Sequence, residues 1–333
     1  MAEPRFLVVR LGSLGDIVHT FPAVAALRET FAGQQITWLT HPRWEPLIRA
    51  AGQVSEIWAT ETRSLASIRA IMQRIRSGQF TAAIDYQGLW KSAALPLFAG
   101  IKRRIGFSSE TIREYGVPIL YTDRVRCIAT HIADQNGELT LRAGARRGVA
   151  DFSLQVPEAA EASVREYLRE RSIDRYVVLS PGGGWRSKCW PAERFGVLCE
   201  RIFRVLGLRC VVNGGPGEED LAAKLCAAAG EARPSVYQGD LNQLMALLKN
   251  SCCIVGGDTG PLHLAIALGT PAVALFGPTD PARNGPYRTD AIVLRAAGAT
   301  RDHSRKQETD PSMLAIEVDA VFDAVARRLG ALR

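Results

Sequence analysis

The chain has 333 residues, 47% hydrophobic and 23% charged, which describes an ordinary soluble chain of enzyme size, with two medium domains expected over one large one. No run of about 18 apolar residues occurs, which excludes a membrane-spanning helix. The net charge of +7 lies wholly in residues 1–150, with 19 basic against 12 acidic side chains, while residues 151–333 balance at 22 against 22.

A basic first half is expected to meet something anionic. Zinc-finger spacing, a helix-turn-helix signature and aromatic-rich RNA-binding strands are all missing, so nucleic acid is set aside. A membrane surface or a phosphorylated substrate remains. Seven cysteines are an odd number without a CxxC pair, and several sit in apolar runs, so a reducing compartment with neither disulfides nor a metal cluster is expected. The first residues lack a secretory signal, and the expected location is cytoplasmic.

In chain order, residues 6–11 read as a strand that runs into Arg10-Leu11-Gly12-Ser13-Leu14-Gly15-Asp16-Ile17. This glycine-loosened turn lies at the carboxyl end of a strand, the ligand edge of an open α/β sheet. It is not GxGxxG, which argues against a nicotinamide dinucleotide. Asp16 reads either as the N-cap of a helix over residues 17–31 or as a general base. Strands follow at 36–39, 56–58 and 82–85, with a helix at 64–75. Alternation of this kind predicts βαβ units and a parallel sheet.

Gly144, Gly148 and Pro157 interrupt both periodicities, which places a domain boundary near residues 144–160. The pattern then restarts. A strand at 176–179 leads into Ser180-Pro181-Gly182-Gly183-Gly184-Trp185, followed by Lys188, Trp190 and Pro191. The glycines permit close backbone approach and Lys188 supplies a point charge, a combination suited to a leaving diphosphate. Helices at 192–206 and 241–249 flank a strand at 210–213. Next, an apolar run at 252–255 meets Gly256-Gly257-Asp258-Thr259-Gly260-Pro261-Leu262-His263, a strand, turn and helix N-terminus that offers free N–H groups to a phosphate. A nucleoside diphosphate is expected there. A strand at 272–276 and a terminal helix at 313–332 complete the chain.

Together these strings resemble family 9 glycosyltransferases, a family best known for lipopolysaccharide heptosyltransferases, and look most like the first such transferase. The resemblance runs nearly end to end. It rests on Gly12-Ser13-Leu14-Gly15-Asp16 with His19-Thr20 and Pro22, on Asp85-Tyr86-Gln87-Gly88-Leu89-Trp90-Lys91-Ser92-Ala93, and on Arg104-Ile105-Gly106-Phe107. It continues through Lys188-Cys189-Trp190-Pro191, Gly257-Asp258-Thr259-Gly260-Pro261-Leu262-His263 and Phe276-Gly277-Pro278-Thr279-Asp280-Pro281.

The resemblance implies an α/β GT-B architecture in which two Rossmann-like parallel-sheet domains face a central cleft. Residues 1–150 would bind the acceptor, and residues 151–333 the sugar nucleotide, with the terminal helix returning toward the first domain. It implies Asp16 as catalytic base and Lys188 as the cation on the leaving diphosphate, with inversion in one displacement and no metal. Gly182, Gly183, Asp258, Thr259, Gly260 and His263 would bind the donor. Asp258 could equally cap the helix that follows it. The family's ribose-binding Glu lies in a tryptophan-glycine segment; here Gly214-Gly215-Pro216-Gly217-Glu218-Glu219 replaces it, so Glu218 or Glu219 is the counterpart and Glu218 is carried forward. Pro261 also departs from the usual leucine or alanine, so donor-sugar identity is not inherited.

On the acceptor side the resemblance implies Ser13, Gly15, Gln87 and Lys91, with Arg63, Arg104, Arg113 and Arg124 as candidates for acceptor phosphates and carboxylates. The expected function is transfer of heptose from ADP-heptose, a co-substrate in place of any cofactor, to the Kdo-containing inner core of lipopolysaccharide. The partners would be a nucleotide sugar and an anionic glycolipid at the cytoplasmic face of the inner membrane. The alternatives are a family 9 transferase with another sugar nucleotide or acceptor, a sugar-nucleotide-binding protein without transfer, and an epimerase.

Overall fold

A computed structural model describes residues 3–61, 64–112, 114–215, 217–302 and 308–330. Among the described residues the apolar runs form two six-stranded parallel sheets. The first contains β1 (Arg5–Val9), β2 (Gln35–Thr40), β3 (Glu56–Ala59), β4 (Ala82–Asp85), β5 (Arg103–Phe107) and β6 (Asp123–Val125), in the order β3-β2-β1-β4-β5-β6. The second contains β7 (Tyr176–Ser180), β8 (Arg209–Asn213), β9 (Ser235–Tyr237), β10 (Cys253–Gly257), β11 (Ala272–Phe276) and β12 (Ile292–Arg295), in the order β12-β11-β10-β7-β8-β9.

Both orders are the doubly wound Rossmann order, and each switches direction between its first and fourth strands. At those switch points β1 pairs with β4, setting Val9 beside Asp85, and β7 pairs with β10, setting Ser180 beside Gly256. The central strands β1, β4, β7, β10 and β11 are buried almost throughout. Helices cover both faces of a parallel sheet, so such strands read as continuous apolar runs.

The compact units are Met1–Gln155 and Val156–Arg333, five residues beyond the expected limit of 150. The added residues are tied to the first unit: Ala150 N–H donates to Pro22 C=O at 2.8 Å and Gln155 N–H to Ala50 C=O at 2.8 Å, while Phe152 packs on Phe21. The expected helix at 17–31 is two helices, Leu14–Val18 and Phe21–Thr30. Pro22 lacks the N–H needed to continue the first helix, and the Thr20 hydroxyl donates to the Asp16 carbonyl at 2.8 Å.

The expected terminal helix divides likewise into Pro311–Leu314 and Val318–Arg328. Its connecting carbonyls are claimed from outside. Trp190 Nε1 donates to Ile316 C=O at 2.9 Å, and Arg194 donates to the carbonyls of Leu314 and Ile316 at 2.6 and 2.7 Å. Val321, Phe322 and Val325 of the last helix join the core of the second unit. Among the described residues no helix is long and apolar enough to cross a membrane.

Candidate active site

In the first unit, the carboxyl edge at the β1/β4 switch carries the turn with Asp16. The helix there begins at Leu14, so Ser13 is its N-cap and Asp16 its third residue, which corrects the reading of Asp16 as the cap. From that position the Asp16 carboxylate reaches back to accept the Ser13 N–H at 3.1 Å and the Ser13 hydroxyl at 2.9 Å. Arg10, which directly follows β1, lies 2.7 Å away through Nη2, and its Nη1 donates to the Tyr86 carbonyl. The Arg10 side chain is buried, whereas that of Asp16 is 42% exposed. Asp16 is thus an oriented carboxylate, held beside a fixed cation and open to a ligand.

The adjoining β4 turn is built on Asp85, which is 1% exposed. Its carboxylate accepts the Gln87 and Gly88 N–H groups at 2.9 and 3.2 Å, the Ser92 hydroxyl at 2.8 Å and the Tyr121 hydroxyl at 2.7 Å. Burial pushes the Asp85 carboxyl above the usual range, and the Tyr121 and Ser92 hydroxyls and the two N–H groups pull against that rise. Gln87 Oε1 accepts N–H bonds from Leu11 at 2.9 Å and Gly12 at 3.3 Å.

Of the other acceptor-side expectations, Ser13 and Gly15 lie in the Asp16 turn, and Lys91 is exposed in the first turn of the helix Trp90–Phe98. Arg124 is exposed on β6. Arg104 stands near the amino end of β5, away from the carboxyl edge, and its guanidinium donates to the carbonyls of Leu120, Ile101 and Lys102 at 2.8, 2.6 and 3.2 Å. That geometry makes Arg104 a brace for the β5–β6 connection. Arg63 and Arg113 lie outside the described residues.

In the second unit, the carboxyl edge at the β7/β10 switch gathers all of the expected donor residues. Lys188, in a short turn after the glycine loop, is only 8% exposed. Its Nζ donates to the Asp258 carbonyl, lies 3.7 Å from Asp258 Oδ2 and sits 4.2 Å above the Trp185 ring. Asp258 lies one residue before the N-cap position, which Thr259 occupies without a side-chain cap bond, and the helix runs Gly260–Ala267. The Asp258 carboxylate instead accepts His263 Nε2 at 2.9 Å. A buried lysine needs such partners, and Lys188, Asp258 and His263 satisfy one another in a fixed row.

The first-turn N–H groups of Gly260 and Leu262 precede any helical carbonyl partner, so they and the helix dipole favour an anion. Thr259 and Thr279, which follow β10 and β11, each bury a hydroxyl that has no hydrogen-bond partner among the described residues. Glu218 closes the other side. Its carboxylate accepts Gly215 N–H at 2.9 Å, and a methyl group built at Gly182 would fall 1.7 Å from Glu218 Oε1. Glu219 turns outward and caps Gly217 N–H at 3.2 Å, so Glu218 is the glutamate at the site. Burial raises the Glu218 carboxyl above its usual range, partly offset by the Gly215 N–H.

A buried ammonium held in place by a carboxylate and an imidazole, beside a helix N-terminus, can offer N–H donors and local positive charge to a diphosphate. The family model "Glycosyltransferase family 9 (heptosyltransferase)" matches residues 68–313. The chain belongs to glycosyltransferase family 9. It is an enzyme of the transferase class. Its sequence is 28% identical over 307 residues to lipopolysaccharide heptosyltransferase 1 of Pseudomonas aeruginosa, covering 87% of this chain and 83% of that one. The same enzyme of Escherichia coli K12 is 28% identical over 314 residues, covering 88% and 93%.

Among solved structures, a family 9 glycosyltransferase from Veillonella parvula superposes with a TM-score of 0.85 at 21% identity, over 100% of this chain and 99% of that one. E. coli heptosyltransferase WaaC with ADP gives 0.78 at 24%, over 97% and 99%. These likenesses place both Rossmann-like units in the GT-B class of folds. Arg10, Asp85, Trp185 and Thr279 also stand at these edges, beyond the candidates the sequence singles out. The available signal was position: Arg10 and Asp85 end neighbouring central strands at the ligand edge, and Thr279 follows β11 in the same way.

Proposed function

We propose that this family 9 enzyme transfers heptose from ADP-heptose to the Kdo-containing inner core of lipopolysaccharide. In this reading Asp16 removes the proton from the acceptor hydroxyl as that oxygen attacks the anomeric carbon, and the bond to the ADP phosphate breaks on the opposite face with inversion. Lys188 and the N–H groups at Gly260 and Leu262 take up the charge that develops on the departing ADP. Glu218 accepts from ribose hydroxyls in this reading, and Thr259 and Thr279 supply hydroxyls to the phosphates or sugar. The fixed Lys188 cation serves where other transferases use a divalent metal.

The observation that carries the reading is Lys188, a lysine buried beside a glycine loop and a helix N-terminus at a sheet switch point. The basic balance of residues 1–150 supports an anionic glycolipid acceptor, approached at the inner-membrane surface without a spanning helix. Calorimetric titration with ADP, UDP and GDP, followed by turnover of ADP-heptose on Kdo-lipid A with and without EDTA, tests this. The reading predicts ADP preference and EDTA-resistant transfer. Preference for UDP or GDP would reject the donor assignment, and loss of turnover in EDTA would reject Lys188 as the sole phosphate cation.

A further inference from the structure

Three separated sequence strings converge on the turn that carries Asp16. The first is the turn itself, in which the Leu11 and Gly12 N–H groups both donate to Gln87 Oε1. The second is the β4 turn, where buried Asp85 fixes the Gln87 and Gly88 N–H groups and the Tyr86 carbonyl accepts from Arg10. The third is Arg104-Ile105-Gly106-Phe107. A methyl group built at Gly106 would lie 2.4 Å from the Tyr121 ring, and Tyr121 is the residue whose hydroxyl donates to Asp85. Gly106 therefore leaves the space in which Tyr121 reaches Asp85, Asp85 holds Gln87, and Gln87 holds the backbone just ahead of Ser13, the N-cap to which Asp16 is bonded.

We propose that Gln87 is the positioning residue of the Asp16 turn, acting through its amide oxygen, with Asp85, Tyr121 and Gly106 as its support. The assignment rests on Asp16 being the base. It moves Gln87 from the acceptor-binding role implied by resemblance to a role inside the protein. The chemistry separates the two: an oxygen that accepts two N–H bonds can be replaced by a carboxylate, whereas an amide N–H₂ donating to an anionic acceptor cannot.

The test compares Gln87→Glu with Gln87→Met in the full-length enzyme, by amide exchange at Leu11 and Gly12, ADP binding, and transfer from ADP-heptose to Kdo-lipid A. In Gln87→Met the two amides should exchange about five- to tenfold faster, the scale of one lost hydrogen bond. Its kcat should fall about 10- to 100-fold, as expected for a misplaced reacting group, with ADP affinity and acceptor KM little moved. Gln87→Glu should restore slow exchange and most of the lost kcat, and its added negative charge should move the acidic limb of the pH profile upward. Equal loss in both variants, or loss confined to acceptor KM with exchange unchanged, overturns the proposal. A Met variant too unstable to assay leaves the Glu variant decisive, since fast exchange there would also overturn it. Full activity of an Asp16→Asn enzyme would instead sink the base assignment, leaving the exchange result standing as a separate fact.

Discussion

Lys188→Met separates the pairing of one ammonium group inside the protein from its proposed contact with the donor phosphate. Nζ lies 3.7 Å from Asp258 Oδ2, a Coulomb attraction of about 4.5 kcal/mol at an effective dielectric near 20. Desolvation offsets much of this, but removing the lysine leaves a buried carboxylate without its cation, which costs about 3 kcal/mol. For a domain of roughly 150–250 residues this lowers the melting temperature by about 6–12 °C. With ADP, loss of one charge-assisted phosphate contact of about 1.5–3 kcal/mol weakens binding roughly 10- to 150-fold.

Adding Asp258→Asn to Lys188→Met should recover much of the stability, because no charge is then left buried alone, but none of the ADP affinity. Thermal unfolding and calorimetry on the wild type, both single variants and the double variant complete the cycle. Unchanged ADP affinity in Lys188→Met would refute Lys188 as the phosphate cation. A double variant no more stable than Lys188→Met would refute the buried pair.

Gly106→Ala forces the Tyr121 ring away from Asp85 and should destabilise the first unit by about 2–5 kcal/mol, combining overpacking with a lost buried hydrogen bond; urea unfolding shifted by less than about 0.5 kcal/mol would contradict the packing described. Glu218→Gln acts through pH. Because burial raises the folded-state Glu218 carboxyl, its favourable contribution is complete below the unfolded value and fades as pH rises through the folded one. The amide should therefore raise the melting temperature at pH 7, with the gain shrinking toward pH 4, while ADP affinity falls; a gain independent of pH would rule out ionisation as its cause.

The central strands were legible because burial on both faces leaves a continuous apolar run, as at β4, β7 and β11. The edge strands β6, β9 and β12 were not, being three or four residues long and only partly buried. β5 hid for a related reason, since it opens on Arg103 and Arg104. Helix breaks at Thr20 and Ala315 depend on carbonyls claimed by a hydroxyl, an indole and a guanidinium, and the last two partners lie more than a hundred residues away in sequence. The residues gathered at the β7/β10 edge were readable because a glycine loop and a helix N-terminus are local features. Asp85 and Arg10 were not, because their roles arise from neighbouring strands that the chain joins only in three dimensions.

The proposed mechanism turns on Asp16 as base, and single-turnover transfer from ADP-heptose to Kdo-lipid A by the wild type and Asp16→Asn decides it, with ADP affinity measured on the same samples. The wild type should give inverted product, and Asp16→Asn at least about a hundredfold slower transfer with ADP affinity unchanged. Transfer at the wild-type rate by Asp16→Asn would leave Asp16 as no more than part of a helix cap and contradict the mechanism.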